Sequence, residues 1–400
     1  MKIDHVHFYV ENAKVWRDWF VRHLGFQVVA DSVIPPTFLE KGNDISWKAK
    51  RDETFHTCTQ VVKSGPIYFL VSSPLLPTSP VAEFLRYHPP GVADVAFCVE
   101  NVEKVISCAQ QHGAKVLQPI QQHQYGQEYI KWGKITAWGS LTHTLIERRK
   151  EEDEEDCPPC PSFPTPVTIT ERTSTPSWFS LSSVPVVPPS FFTAIDHIVL
   201  NVDAGQLENA VAWYENILNF QGQQTFNIQT SRSALHSQVM VSRYGDVKLP
   251  INEPASANSQ IQEFLNVNRG AGIQHIALRT RNIVHAIAQF RASGLSLLPV
   301  SKNYYSQVRQ RKGLPITIDE LDAIAQQEIL VDWEQETFFG SNKNITPLLL
   351  QIFTQPIFGQ PTFFFEFIER RYQAQGFGEG NFRALFAAIE NEQIKRGSLG

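Results

Sequence analysis

The feature that most limits what this chain can fold into is that it repeats itself. Asp4-His5-Val6-His7-Phe8-Tyr9-Val10 returns as Asp196-His197-Ile198-Val199-Leu200-Asn201-Val202, and each run leads into an amphipathic stretch that closes alike, Leu24-Gly25-Phe26 and Leu218-Asn219-Phe220. In the second copy Leu207, Val211, Tyr214 and Leu218 keep helical spacing. A second pair of marks is Gly91-Val92-Ala93-Asp94-Val95-Ala96-Phe97 against Gly272-Ile273-Gln274-His275-Ile276-Ala277-Leu278, each followed by a helical pattern that stops at a glycine, Gly113 or Gly294. A third is Thr144-Leu145-Ile146-Glu147-Arg148 against Glu366-Phe367-Ile368-Glu369-Arg370. Self-similarity on this scale means one fold built twice in the same element order.

Each half carries two strand–helix–strands units, at about 1–75 and 91–148 and again at 193–255 and 271–370. The expected class is therefore α+β: two tandem domains, each a pair of βαβββ units forming an open, barrel-like mixed sheet. The offset between the copies is 181 residues at the second mark and 222 at the third, so the C-terminal half carries an insertion. Ile318 to Ala325 within it is expected to be a short helix. A last helix, Asn381 to about Lys395, follows three glycines (Gly376, Gly378, Gly380) and sets Phe382, Leu385, Phe386 and Ile389 at helical spacing. It is expected to be a lid.

Between the halves the composition breaks. Six acids from Glu151 to Asp156 precede Cys157-Pro158-Pro159-Cys160 and a stretch dense in Pro, Ser and Thr. Such a segment buries too little apolar surface to offset its ordering entropy. The domains are accordingly expected at 1–150 and 191–400, joined by a 151–190 linker. No second pair or nearby His completes a zinc set around Cys157 and Cys160. Thirty-five Lys and Arg against forty Asp and Glu give a net charge of −5 without a basic cluster, which argues against nucleic acid as a partner. No apolar run reaches the roughly 18 residues of a membrane helix. A cytoplasmic protein, self-associating into a homo-oligomer, is the expectation.

Chemically, the repeat marks differ. The N-terminal half places His5, Asp94 and Thr144 there; the C-terminal half places His197, His275 and Glu366. Two imidazoles and a carboxylate on three strands match the facial triad of a non-haem Fe(II) oxygenase. Zinc enzymes that use His, His and Glu commonly pair two of them on a helix, a pattern absent here. Threonine replaces a carboxylate poorly, so the N-terminal copy is expected to be metal-free, although His5 and His7 on one strand face offer a rival site. Glu366 sits among Phe363, Phe364, Phe365, Phe367 and Ile368, where a carboxylate is costly unless a cation meets it. Arg370, on the same strand face by alternation, is one candidate.

At these residues the chain resembles the 4-hydroxyphenylpyruvate dioxygenases of the vicinal oxygen chelate superfamily. The resemblance runs through Pro250-Ile251-Asn252-Glu253-Pro254, Gly270 to His275, Leu350 to Thr354, Phe364 to Ile368 and Gly376 to Phe382, and more loosely through Gly91 to Phe97. It implies two tandem vicinal-oxygen-chelate domains and one Fe(II) per chain on His197, His275 and Glu366. It also implies a substrate pocket of Ser237, Asn252, Gln260, Gln274, Gln351, Phe353, Phe364, Phe377, Phe382, Leu385 and Phe386. By alternation, Gln351 and Phe353 share a face, as do Phe364 and Glu366. Phe382 and Phe386 read equally well as core. The implied reaction takes 4-hydroxyphenylpyruvate and O2 to homogentisate and CO2, in tyrosine catabolism or prenylquinone synthesis. The alternatives are a hydroxymandelate synthase acting on the same substrate and a metal-free aromatic-acid binding protein.

Overall fold

A computed structural model of the chain describes residues 1–32, 56–125, 128–150, 190–230, 233–245, 247–333 and 346–397. Cys157, Cys160 and almost all of the expected linker lie outside the described residues. In the N-terminal half the order is β1 (Lys2–Tyr9), α1 (Ala13–Leu24), β2 (Gln27–Ser32), β3 (Thr57–Ser64), β4 (Ile67–Pro74), α2 (Pro80–Tyr87), β5 (Gly91–Cys98), α3 (Val102–Gln111), β6 (Val116–Tyr125), β7 (Glu128–Thr136) and β8 (Thr142–Lys150). The C-terminal half runs β9 (Phe192–Asn201), α4 (Leu207–Leu218), β10 (Phe220–Gln229), β11 (Ala234–Ser242), β12 (Lys248–Pro254), α5 (Gln260–Asn268), β13 (Gly272–Thr280), α6 (Ile283–Ala292), α7 (Lys302–Gln310), α8 (Ile318–Gln326), β14 (Leu330–Trp333), β15 (Leu348–Phe353), β16 (Phe364–Arg371) and α9 (Phe382–Arg396).

The two sheets are the same object. One is ordered β2-β3-β4-β1-β5-β8-β7-β6 and the other β10-β11-β12-β9-β13-β16-β15-β14. Each half is thus the expected pair of βαβββ units, joined along the antiparallel contact of its two first strands, β1 with β5 and β9 with β13. The helix α8 falls within the insertion as expected. Short helices α2, α5 and α7 were not anticipated from the sequence.

Local chemistry repeats with the topology. Asn12 caps α1 by accepting from the Lys14 and Val15 amides, and α1 stops at Gly25 in the left-handed region (φ 66°). The matching stop of α4 is Asn219 at φ 55°, the non-glycine residue type best able to take that conformation. Glu147 Oε2 accepts from the Val102 amide at the start of α3 (2.9 Å), and Glu369 Oε2 accepts from the Ile283 amide at the start of α6 (2.7 Å). In both halves a carboxylate thus lies at a helix's positive end, satisfying an orphan amide.

The halves share one core. Phe8 packs on Phe363 with ring centroids 5.3 Å apart, Trp16 on Phe358 at 4.4 Å, and Phe69 stacks near Phe365 at 5.9 Å. On the other side of the seam the buried Tyr214 hydroxyl is 3.1 Å from His143 Nε2, whose Nδ1 is 2.9 Å from the Val95 carbonyl oxygen. Burial pushes His143 down to about 4, so it stays neutral in this contact.

Candidate metal centre and its cavity

Three strands bring His197, His275 and Glu366 together. The middle strand, β13, pairs with β9 on one side and β16 on the other, and Ala277 is the partner of both His197 and Glu366. His275 lies two residues from Ala277, hence on the same face. Alanine between the two longer side chains leaves room for them to converge over it. His197 Nε2 lies 3.2 Å and His275 Nε2 3.6 Å from Glu366 Oε2, and one donor atom from each residue falls within 4.8 Å of the others. Among the described residues this is the one such His/Cys/Asp/Glu group that could hold a metal ion. Of the rival pair, His7 turns its Nε2 to Ser72 Oγ (2.7 Å), and His5, whose Nδ1 contacts Asp4 Oδ1 (2.8 Å), belongs to no such group.

The protonation chemistry of the trio fits a cation. His197 Nδ1 is 3.0 Å from Asp196 Oδ1, so Nδ1 carries the hydrogen and Nε2 offers its lone pair. Burial alone would lower the His197 pKa, but Glu366 and Asp196 outweigh it and raise it. His275 is held well below the usual imidazole range, first by burial and then by His197, and is neutral. Its Nδ1 is buried without a protein partner. One buried and one partly buried imidazole crowd one buried carboxylate oxygen, a donor set that a divalent ion would satisfy.

Arg370 does not meet Glu366, contrary to the reading from alternation. It is turned onto Asp196 as a fork, with Nε 2.8 Å from Oδ2 and Nη2 2.7 Å from Oδ1. Arg279 adds two more contacts to Oδ2, from Nε at 2.9 Å and Nη2 at 2.6 Å. Burial would raise the Asp196 carboxyl; the Arg370 and His197 hydrogen bonds more than cancel that and hold it well below the usual range. Glu366 is met instead by Gln351, whose Nε2 donates to Oε1 at 2.9 Å. Period-two alternation assigns a face but not a partner at the end of a long side chain.

A cavity partly open to solvent begins at the trio. Its lining includes Ser237, Asn252, Gln260, Gln274, Gln351, Phe353, Phe364, Phe377, Leu385 and Phe386, which the sequence singled out. The side chain of Phe382, the first residue of α9, lies outside the described residues. Phe364 stacks on the His275 ring (4.8 Å, 18° between planes), and Phe377 meets the His197 ring edge-on (5.1 Å). Gln260 Oε1 is buried without a protein partner. Asn252 Nδ2 donates weakly to Asn201 Oδ1 (3.3 Å).

Several contributors escaped the sequence reading. Val199, Phe226, Ile228, Val239 and Ile261 add apolar wall, and Asn381 links the cavity to α9. Asn381 Nδ2 donates to Gln351 Oε1 (2.9 Å), and Asn381 Oδ1 accepts from the Tyr304 hydroxyl (2.8 Å). Asp196 was overlooked although the Asp-His pair recurs in both copies, which was the available signal. The glycines before α9 do more than permit a bend. Gly376 and Gly378 have positive φ (72° and 80°), whereas Gly380 does not. A Cβ on Gly378 would fall on Gln351 Oε1 at a φ that side chains rarely adopt, whereas one on Gly380 would meet the Asp332 carboxylate, the end of a side chain that can shift.

Fold and cavity together define the class. The model of the glyoxalase/bleomycin resistance protein/dioxygenase superfamily matches residues 2–136, and a second model of that superfamily matches 196–311, so the chain is a tandem member of it. A 4-hydroxyphenylpyruvate dioxygenase from Caenorhabditis briggsae is 36% identical over 99% of this chain and 93% of its own length. One from Dictyostelium discoideum is 34% identical over 99% of both. The chain belongs to the 4-hydroxyphenylpyruvate dioxygenase family, and is an enzyme of that family. A triple variant of 4-hydroxymandelate synthase from Streptomyces coelicolor shares the fold, with a TM-score of 0.73 at 21% identity over 98% of each chain. Among the described residues no helix is long and apolar enough to cross a membrane.

Proposed function

We propose that the chain is an Fe(II)-dependent dioxygenase that converts 4-hydroxyphenylpyruvate and O2 to homogentisate and CO2. The observation that carries this reading is the convergence of His197, His275 and Glu366 at the end of an aromatic cavity studded with amides. His197, His275 and Glu366 would hold the iron. Bound there, iron(II) would supply sites for the 2-oxo acid and for dioxygen and the electrons that activate it.

The chain's own residues set the stage for that chemistry. Asp196 fixes the ring and tautomer of His197, and Gln351 fixes one oxygen of Glu366, so neither ligand is free to swing. Gln351 is thereby committed to positioning, which leaves Gln260, Gln274, Asn252 and Ser237 to bind the polar ends of the substrate. Gln260 Oε1, buried and without a protein partner, suits the hydrogen of a phenol. Phe353, Phe364 and Phe377 give the ring aromatic faces and edges to pack on. Leu385, Phe386 and Ile389 of α9 roof the cavity and exclude water from the reacting centre.

Aerobic incubation of the iron-loaded protein with 4-hydroxyphenylpyruvate, followed by identification of the product, tests the proposal. Homogentisate with one CO2 per turnover is expected, and Glu366→Gln should abolish it without altering the circular dichroism of the fold. 4-Hydroxymandelate as the product would replace ring attack by benzylic hydroxylation; tight binding without turnover would leave an aromatic-acid binding protein.

A further inference from the structure

We propose that Lys134 stands in for a metal ion in the N-terminal half: its ammonium occupies the cation's place at the three repeat marks, and removing it while Thr144→Glu restores the third ligand opens a second divalent-cation site there with Asp94 and His5. Strand register fixes the correspondence. His5 pairs with Ala96 as His197 pairs with Ala277, and Asp94 pairs with Thr142 as His275 pairs with Phe364. Thr144 faces Lys134 across β7 and β8 as Glu366 faces Phe353 across β15 and β16. Lysine has therefore entered at a position that is aromatic in the other copy.

Around the correspondence the supporting contacts are intact. His5 Nδ1 is 2.8 Å from Asp4 Oδ1, and Arg148 Nη2 donates to Asp4 Oδ2 at 2.6 Å, the same arrangement as His197, Asp196 and Arg370. This leaves His5 Nε2 as the nitrogen corresponding to the one His197 turns toward Glu366. Asp94, 1% exposed, accepts from Thr142 Oγ1 (2.6 Å) and Thr144 Oγ1 (3.1 Å), and Lys134 Nζ lies 3.3 Å from its Oδ2. Burial would raise the Asp94 carboxyl; Lys134 is the foremost group opposing it, and the carboxyl is held low. Asp94 in turn keeps the partly buried ammonium charged, against the effect of desolvation. His7, pushed down to about 3 by burial and then by Lys134, is neutral beside them. One carboxylate and one oriented imidazole are the nitrogen and oxygen donors a divalent transition ion takes. Here a single fixed positive charge meets them, which a threonine in place of the third ligand can accommodate.

The inference concerns the N-terminal half and does not depend on the reaction assigned above. Metal-free protein carrying Lys134→Met is titrated with Co2+, and bound cobalt is counted by elemental analysis after desalting. One more Co2+ per chain than the parent is expected when Thr144→Glu is added to restore the third ligand. The extra ion should vanish when Asp94→Asn is added as well. Without metal, Lys134→Met should melt below the parent, and Asp94→Asn should reverse that loss by removing the uncompensated charge. An equal cobalt count in Lys134→Met/Thr144→Glu and the parent would overturn the proposal, and would leave an ordinary buried ion pair. If Lys134→Met does not accumulate folded, the same cobalt count is taken on Lys134→Gln/Thr144→Glu: one extra ion supports the proposal and an equal count overturns it.

Discussion

Gln351 Nε2 lies 2.9 Å from Glu366 Oε1 and 3.0 Å from the Phe377 carbonyl oxygen, so one buried amide joins the carboxylate of the candidate metal centre to the segment that enters α9. Its own oxygen accepts from Asn381, at the head of that helix. A buried network of this kind is sensitive because each member satisfies another, and displacing one leaves the rest without partners.

Gly378→Ala tests that closeness. The new methyl would meet Gln351 Oε1 at 1.9 Å, and φ of 80° is strained for any residue with a Cβ. A loss of roughly 1–3 kcal/mol in stability is expected, together with at least a tenfold fall in turnover as Gln351 leaves Glu366. Chemical denaturation and steady-state rates measure both. Parent-like values for the variant would show that Gln351 is free to move aside.

Asp196→Asn keeps the size of the side chain and removes its charge. His197 loses its anionic acceptor, and Arg370 and Arg279 lose the carboxylate they share. Metal affinity should fall by about 10–100-fold, read from competition with a chelator. Unchanged affinity would mean that the Asp196 clamp serves the fold alone.

The roof can be removed outright. Cutting the chain before Asn381 deletes Leu385, Phe386 and Ile389 from the cavity wall. Metal binding should persist, because all three candidate ligands lie upstream, while oxygen use should outrun product formation as water enters. The ratio of oxygen consumed to product formed checks this; a ratio of one would make α9 a static cover with no part in the chemistry.

Acid should loosen the seam between the halves. His143 is lowered from the usual 6.5 to about 4, so the unfolded chain takes up a proton that the folded one does not between those values. Stability is then full above about pH 6.5, falls with pH at about 1.4 kcal/mol per unit, and levels below about pH 4. His143→Phe, which copies Phe365 at the matching position of the other half, should flatten this slope. Between pH 7.5 and 5 the parent should lose about 2 kcal/mol more than the variant, measured by denaturant unfolding. Parallel losses would place the sensitivity elsewhere, His7 and His275 being groups with the same sign.

The repeat made the fold and the three converging side chains legible, because equal element order forces equal register. His197 and Glu366 need only share a level with Ala277 to meet, and strand pairing fixes that. What the repeat could not show was the reach of flexible side chains. Arg370 is on the expected face, yet its fork closes on Asp196, whose carboxylate curls back beside the ring of the next residue. At eight or nine residues a helix has so few turns that its stripe rests on two or three side chains; α8 was legible on that basis and α2, α5 and α7 were not. Asn381 stood in plain view within a quoted motif, but hydrogen bonding to Gln351 joins residues 30 apart and leaves no local trace.

The aromatic seam across which Phe8 meets Phe363 and Trp16 meets Phe358 couples the two copies through one apolar core. Unfolding one would strip apolar backing from the other. A ligand held by His197, His275 and Glu366 therefore lends stability to β1 and α1 as well as to β9 and α4, through the shared core. Amide exchange in the N-terminal copy becomes a remote gauge of occupancy in the C-terminal one.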